Sequence, residues 1–184
     1  MPVTDSAEPP VRRVSSRIAY RNPWLTVRED GIEYPDGTTS IYGIVEKPDF
    51  ALVLPRGDGG FWLVNQFRYP VGRRMWEFPQ GSWGEGSTGS QVALAHAELE
   101  EETGLRASAM HHLGRVVHAQ GISATQFDVF VAEGLSQGTP RRESTEQDMV
   151  HRFVTDDELD AMLRSGEVND APSLAALSLY RLRR

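Results

Sequence analysis

The stretch Glu98-Leu99-Glu100-Glu101-Glu102-Thr103-Gly104-Leu105 constrains this chain more than any other. It closes a predicted helix running from about Ser90 to Thr103 and packs four carboxylates into one helical turn. Residues three and four apart share a helical face, so Glu98, Glu101 and Glu102 project together while Leu99 turns toward a core. Each like-charged i,i+4 pair costs about 0.2–0.5 kcal/mol, and anions in the last turn oppose the negative end of the helix dipole at about 0.3–1 kcal/mol more. Something cationic should compensate, and hard divalent ions take carboxylate oxygens. The plain alternative is a solvated Glu-rich face, since Glu is a good helix former.

What surrounds the stretch favours the ion. Upstream lie Trp76-Glu77-Phe78-Pro79-Gln80-Gly81, a Gly/Ser-rich loop through Ser90 and the small-residue run Val92 to Ala97. Taken in order, this resembles the Nudix box: a Gly, a loop, and a helix ending Arg-Glu-U-x-Glu-Glu-x-Gly-U, with U apolar. Glu98, Leu99, Glu101, Glu102, Gly104 and Leu105 all match behind a Glu-Phe-Pro-x-Gly lead-in. Two departures stand out. Ala97 occupies the Arg position, so no residue one turn before Glu101 can pair with it. The run from Gly81 to Glu98 is two residues longer than the family's spacing, within Ser82 to Gly89, where Glu85 is the nearest match to the family's loop glutamate. Lengthening such a loop is thermodynamically mild.

The resemblance covers about residues 17 to 182 and implies an α/β (α+β) Nudix fold, a mixed sheet sandwiched between helices. The chain's own pattern adds an N-terminal antiparallel meander. Residues 1–16, rich in Pro, Ser and charge, read as a disordered tail, with 17–48 as a β arm and 49–184 as the catalytic core. Ile18 to Tyr20, Trp24 to Glu29 and Thr38 to Glu46 read as strands, with a turn at Pro35-Asp36-Gly37. Ala51 to Pro55 and Phe61 to Phe67 form the clearest hairpin signal. Leu113 to His118, Thr125 to Val131 and Met149 to Val154 read as further strands, with a polar loop from Gly134 to Asp148. Thr155 reads as the N-cap of a helix, and a last helix spans about Ser173 to Leu182. His111, His112 and His118 read as surface or packing residues, because neighbours on a strand point to opposite faces.

With 19 basic and 26 acidic residues the net charge is −7, which leaves no electrostatic footprint for nucleic acid. Without cysteine there is neither a disulfide nor thiol catalysis. No apolar run approaches a membrane span and the start lacks a signal-peptide core, so a cytoplasmic protein is expected.

The resemblance implies hydrolysis of the pyrophosphate linkage in a nucleoside diphosphate derivative, with ADP-ribose or a related nucleotide sugar as the preferred substrate. Gln66-Phe67-Arg68, which is similar to the element preceding the box in enzymes acting on ADP-ribose, favours that branch. Glu98, Glu102 and Glu101, with the main-chain carbonyl of Gln80, are the implied ligands of Mg²⁺ or Mn²⁺. Glu101 and a glutamate from the 134–148 loop, Glu146 or Glu143, are the catalytic candidates. Arg68 offers a planar fork to a phosphate or carboxylate, or is an ordinary surface Arg beside Arg73 and Arg74. Glu77 and Gly81 complete the candidate substrate site. Trp24 is either the aromatic face for the base or a core anchor. A homodimer is implied by the resemblance alone. Two other readings stay open, a Nudix hydrolase of a different nucleoside diphosphate derivative and a catalytically weak nucleotide sensor, the latter because of Ala97.

Overall fold

The computed structural model describes residues 9–84, 88–142, 146 and 148–183. Its contacts divide the chain into two compact units.

The first unit comprises residues 9–47 together with 119–125. Its three strands, β1 (Arg12–Arg21), β2 (Thr26–Glu33) and β3 (Thr39–Glu46), form an antiparallel meander in sequence order. Asn22 shapes the first connection: its Oδ1 accepts from the N–H groups of Trp24 and Leu25 at 2.9 and 2.8 Å, an Asx turn. The second is the anticipated turn, with Gly37 at φ 81° and its N–H donating to the carbonyl of Tyr34 at 2.9 Å. β1 starts at Arg12, earlier than the Arg17 at which the sequence suggested order begins. Arg12 and Arg17 reach across the ladder to Glu33 and Glu29 at 2.8 and 2.9 Å, so the Arg12 charge that read as part of a tail belongs to a cross-strand pair. Residues 119–125, which the sequence placed with the core, close on this unit through Val45 N–H to the carbonyl of Ile122 at 2.8 Å.

The second unit carries β4 (Phe50–Gly57), β5 (Gly60–Arg68), β6 (Arg73–Glu77), β7 (Gln80–Gly81), α1 (Gln91–Thr103), β8 (Leu105–Val117), β9 (Gln126–Gln137), β10 (Val150–Thr155), α2 (Asp156–Ser165) and α3 (Ala171–Leu182). The mixed sheet runs β10-β5-β4-β9-β8, with β6 on β5 and β7 on β4; β4 and β9 are parallel. β4 explains the layering. Ala51 and Val53 pack with Leu94, Ala95 and Leu99 of α1 on one face, and Leu52 and Leu54 pack with Leu159, Met162 and Leu177 of α2 and α3 on the other. A strand covered on both faces needs an unbroken apolar run, as Ala-Leu-Val-Leu supplies.

The β4–β5 hairpin pairs only at its closed end, Arg56 with Phe61 and Gly57 with Gly60. Beyond that the strands part: β5 continues with β6 and β10, and β4 with β7 and β9. The chain from Glu77 to Gly81 runs where they diverge, anchored by Val53 N–H to the carbonyl of Pro79 at 2.9 Å. β9 extends to Gln137, into what the sequence read as loop. No helix among the described residues is long and apolar enough to cross a membrane.

Candidate active site

Local chemistry fixes both ends of α1. Ser90 Oγ accepts from the N–H of Ala93 at 3.2 Å, which makes it the N-cap. Gly104 takes the left-handed conformation at φ 74° and donates to the carbonyl of Glu100 at 2.9 Å. A Cβ there would lie 2.7 Å from Pro140 N and 2.8 Å from the carbonyl oxygen of Gly138, so glycine is required twice over. Residues 138–142 return along this helix end and satisfy its carbonyls. Gly138 N–H donates to Gly104 O at 2.8 Å, Arg141 N–H to Glu101 O at 3.0 Å, and Arg142 Nε to Glu102 O at 3.1 Å.

The four carboxylates part ways in this setting. Glu100 faces outward to Arg106 and Arg141 at 2.7 and 2.9 Å, and Arg106 first of all holds its carboxyl below the usual range. Glu102 turns inward, only 1% exposed, and neither of its carboxylate oxygens has a hydrogen-bond partner among the described residues. Burial pushes this carboxyl well up, and the charges of Glu98, Glu146 and Glu77 add to the effect, with Arg68 pulling against them. The solvated-face alternative therefore fails at the residue where it matters most. Glu98 lies against Gly81: a Cβ at that glycine would stand 2.5 Å from both carboxylate oxygens. Gly81 is thus the space that Glu98 occupies. Glu101 is partly buried on the same turn.

The lead-in residues form the opposite wall. Arg68 grips Glu77 bidentately, Nε to Oε1 and Nη2 to Oε2, each at 2.9 Å. Gln80 Nε2 donates to Glu77 Oε2 at 3.1 Å. Burial raises the Glu77 carboxyl against the pull of Arg68. Of the partners the sequence offered this fork, a phosphate or a carboxylate, the structure supplies a buried carboxylate of the chain itself. Ser173 of α3 fixes the neighbouring backbone, its Oγ accepting from Phe78 N–H at 3.1 Å. Asp170 caps α3, its Oδ2 accepting from Ser173 N–H at 2.9 Å, while its buried Oδ1 has no partner among the described residues and its charge acts on both Glu77 and Arg68.

The structure thus gathers Glu98, Glu102, Glu77, Gly81, Gln80, Arg68 and Glu146, with Glu101 on the same turn of α1. Glu143 and Glu85 lie outside the described residues. Trp24 belongs to the first unit and is 72% exposed, which removes the core-anchor reading within this chain. Sequence reasoning missed Asp170, Arg142 and the Arg74–Asp148 pair. Asp170 before Ala171-Pro172 carried an N-cap signal, whereas the arginines carried none, because only tertiary contacts define them.

Among the described residues, no three His, Asp or Glu side chains stand ready-made as a ligand set for a metal ion. The donor chemistry nonetheless fits a hard divalent cation. A buried carboxylate lacking hydrogen bonds, with anionic neighbours, is a costly arrangement that such an ion would relieve.

Comparison with known proteins gives the family. Residues 46–177 match the family model described as the NUDIX domain. The chain belongs to the Nudix family. Residues 11–45 of this Nudix protein match a second model, the nucleoside diphosphate sugar hydrolase N-terminal domain. It is 33% identical to an ADP-ribose pyrophosphatase of Bacillus subtilis over 84% of the chain and 83% of that protein. It is 28% identical to an ADP-ribose pyrophosphatase of Mycobacterium tuberculosis over 93% of the chain and 83% of that protein. Among solved structures, one described as an ADP compounds hydrolase superposes with a TM-score of 0.83, covering 95% of this chain and 94% of that one at 18% identity. That likeness establishes the Nudix fold.

Proposed function

We propose that this Nudix hydrolase cleaves the pyrophosphate linkage of ADP-ribose or a closely related nucleoside diphosphate sugar with the help of Mg²⁺ or Mn²⁺. The observation that carries the reading is the Glu102 carboxylate, buried without a hydrogen bond and facing the charges of Glu98, Glu146 and Glu77. The names of the two relatives and the N-terminal family model support the substrate class.

Glu98 and Glu102, with Glu101 and the main-chain carbonyl of Gln80, would hold the cation. When bound, such an ion offsets the charge of the diphosphate and makes a water more acidic. Glu146 orients the attacking water and takes its proton; Glu143 is the second candidate for that role. For ADP-ribose, water oxygen bonds to one phosphorus, the bridging oxygen leaves with the other, and the products are AMP and ribose 5-phosphate. Gly81 leaves room for Glu98 to point inward, and Glu77 sets Gln80 and Arg68 in place. Arg68 is the cation that offsets the acids at Glu77 and Glu102.

The protein acts as a homodimer in this proposal. Ile18, Tyr20, Trp24 and Ile41 of the meander are all more than half exposed, more apolar surface than a small sheet leaves to water without a partner. Trp24 is then the candidate to stack on a base.

Turnover of ADP-ribose, nucleotide sugars, NADH and nucleoside triphosphates in Mg²⁺, read by release of phosphatase-labile phosphate, tests the reading. ADP-ribose or a nucleotide sugar should lead, and Glu102→Gln should abolish turnover. Equal and negligible rates for wild type and Glu102→Gln on every substrate would favour a nucleotide sensor, the reading that Ala97 suggests.

A further inference from the structure

The last turn of α1 contains no basic residue, so its carbonyls and carboxylates draw positive partners from elsewhere in the chain. Arg106 and Arg141 serve Glu100 on the outer side. Arg142 is placed differently. Its Nε donates to the main-chain carbonyl of Glu102 at 3.1 Å, and its Nη2 lies 2.9 Å from Nδ1 of His151 in β10. A guanidinium only donates, so Nδ1 must accept. Burial and the charge of Arg142 both hold His151 below its usual range, in keeping with that role. One planar fork therefore bridges the end of α1 and the sheet.

The chain after Arg142 is fastened again on the far side of Glu146. Arg74 of β6 donates to Asp148 Oδ2 at 2.6 Å and to the Asp148 carbonyl at 2.8 Å. The same guanidinium is held on β5 by Asn65, through Oδ1 at 2.6 Å and the carbonyl at 2.8 Å. Met149 N–H donates to the Glu146 carbonyl at 2.9 Å. Glu146 thus lies between two arginine anchors, close enough to Glu102 for its charge to be felt there.

We infer that Arg142 is a positioning residue for the reaction: held on the C-terminal end of α1, it sets where Glu146 stands, with Arg74 holding Asp148 on the other side. The inference rests on Glu146 as the acid that handles the attacking water. Arg142 itself touches no substrate. It sets where Glu146 stands relative to Glu102, and near-attack geometry is sensitive to shifts of an ångström. Were Arg142 only a cap for the helix end, its loss would lower stability and leave the chemical step alone.

Two readouts on the full chain separate these cases. The first is amide hydrogen exchange without metal or substrate, followed at Arg141 and Met149. Arg142→Ala should speed exchange at both by about 10-fold or more, as local opening becomes easier. The second is steady-state kinetics with ADP-ribose. Arg142→Ala should lower kcat by about 10- to 100-fold, as loss of a supporting residue does at metal sites, with KM changed by no more than about twofold. Arg142→Lys should recover only part of kcat, because a compact ammonium cannot span both acceptors. Added to Glu146→Gln, Arg142→Ala should cause little further loss, since both act through one group. Unchanged exchange at Arg141 and Met149, or a kcat loss that adds in full to that of Glu146→Gln, overturns the inference. Failure of the functional reading looks different: wild type itself would lack turnover that Glu102→Gln removes, whatever the exchange result.

Discussion

Glu102 shows in one residue what the fold gives up for function. Its carboxyl is raised well above the ordinary range, first by burial and then by Glu98, Glu146 and Glu77. The folded state therefore binds this proton more tightly than the unfolded chain, and stability falls as pH rises. The contribution is whole below the ordinary carboxylate pKa and is lost as pH climbs through the raised one. Glu102→Gln removes the penalty. In metal-free protein at pH 8 it should raise Tm by several degrees, consistent with about 1–3 kcal/mol for an uncompensated buried group at this chain length, and it should flatten the fall of Tm between pH 5 and pH 8. Thermal melts across pH, with and without EDTA, check this. An equal or lower Tm for the variant at pH 8 would contradict it. Gly81→Ala is the steric counterpart: its Cβ would collide with the Glu98 carboxylate, so kcat should fall at least about 10-fold through displaced catalytic geometry while circular dichroism is unchanged.

At the scale of elements, caps were the most legible features because they are local. Ser90, Gly104 and Thr155 each mark a helix end in the sequence, and each does so in the structure; Thr155 and Glu158 complete a capping box with bonds of 3.2 and 2.7 Å. Strand length was less legible. β1 carries four arginines, so its ladder pairs imitate a polar tail. β8 extends to thirteen residues through a bulge at Leu113, and neither feature has the clean alternation that marks a strand. The arginine anchors at Arg74 and Arg142 were invisible, since 74 and 40 residues separate the groups they join. The two caps differ in reach. Thr155→Ala should cost about 0.5–2 kcal/mol and leave kcat intact. Gly104→Ala forces an L side chain to positive φ against Pro140 and Gly138, so it should cost stability of about 1–2 kcal/mol from conformation alone and also lower kcat, because the same segment leads to Glu146. Denaturant titration beside turnover separates the pair.

Over the whole molecule, the motif around the glutamates pointed to the family, and the resemblance carried the mixed sheet with it, because the family signal lies in one contiguous stretch. What a single chain's sequence carries weakly is association. The apolar side chains of the meander, Ile18, Tyr20, Trp24 and Ile41, are exposed, and the proposal above assigns them to a homodimer interface. Sedimentation should give about twice the 20.5 kDa chain mass. Ile41→Glu with Trp24→Ser should shift the protein toward monomer and reduce turnover, because charge placed in an apolar interface is left without a partner. A wild type that sediments as a monomer at micromolar concentration would remove the dimer and with it the base-stacking role of Trp24.

Anomalous scattering from crystals soaked in Mn²⁺ tests the central claim most directly. The account predicts a peak bridging the carboxylates of Glu98 and Glu102 in wild type and its loss in Glu102→Gln. Crystals saturated with Mn²⁺ that show no peak there, with Glu102 still buried and unliganded, would contradict it.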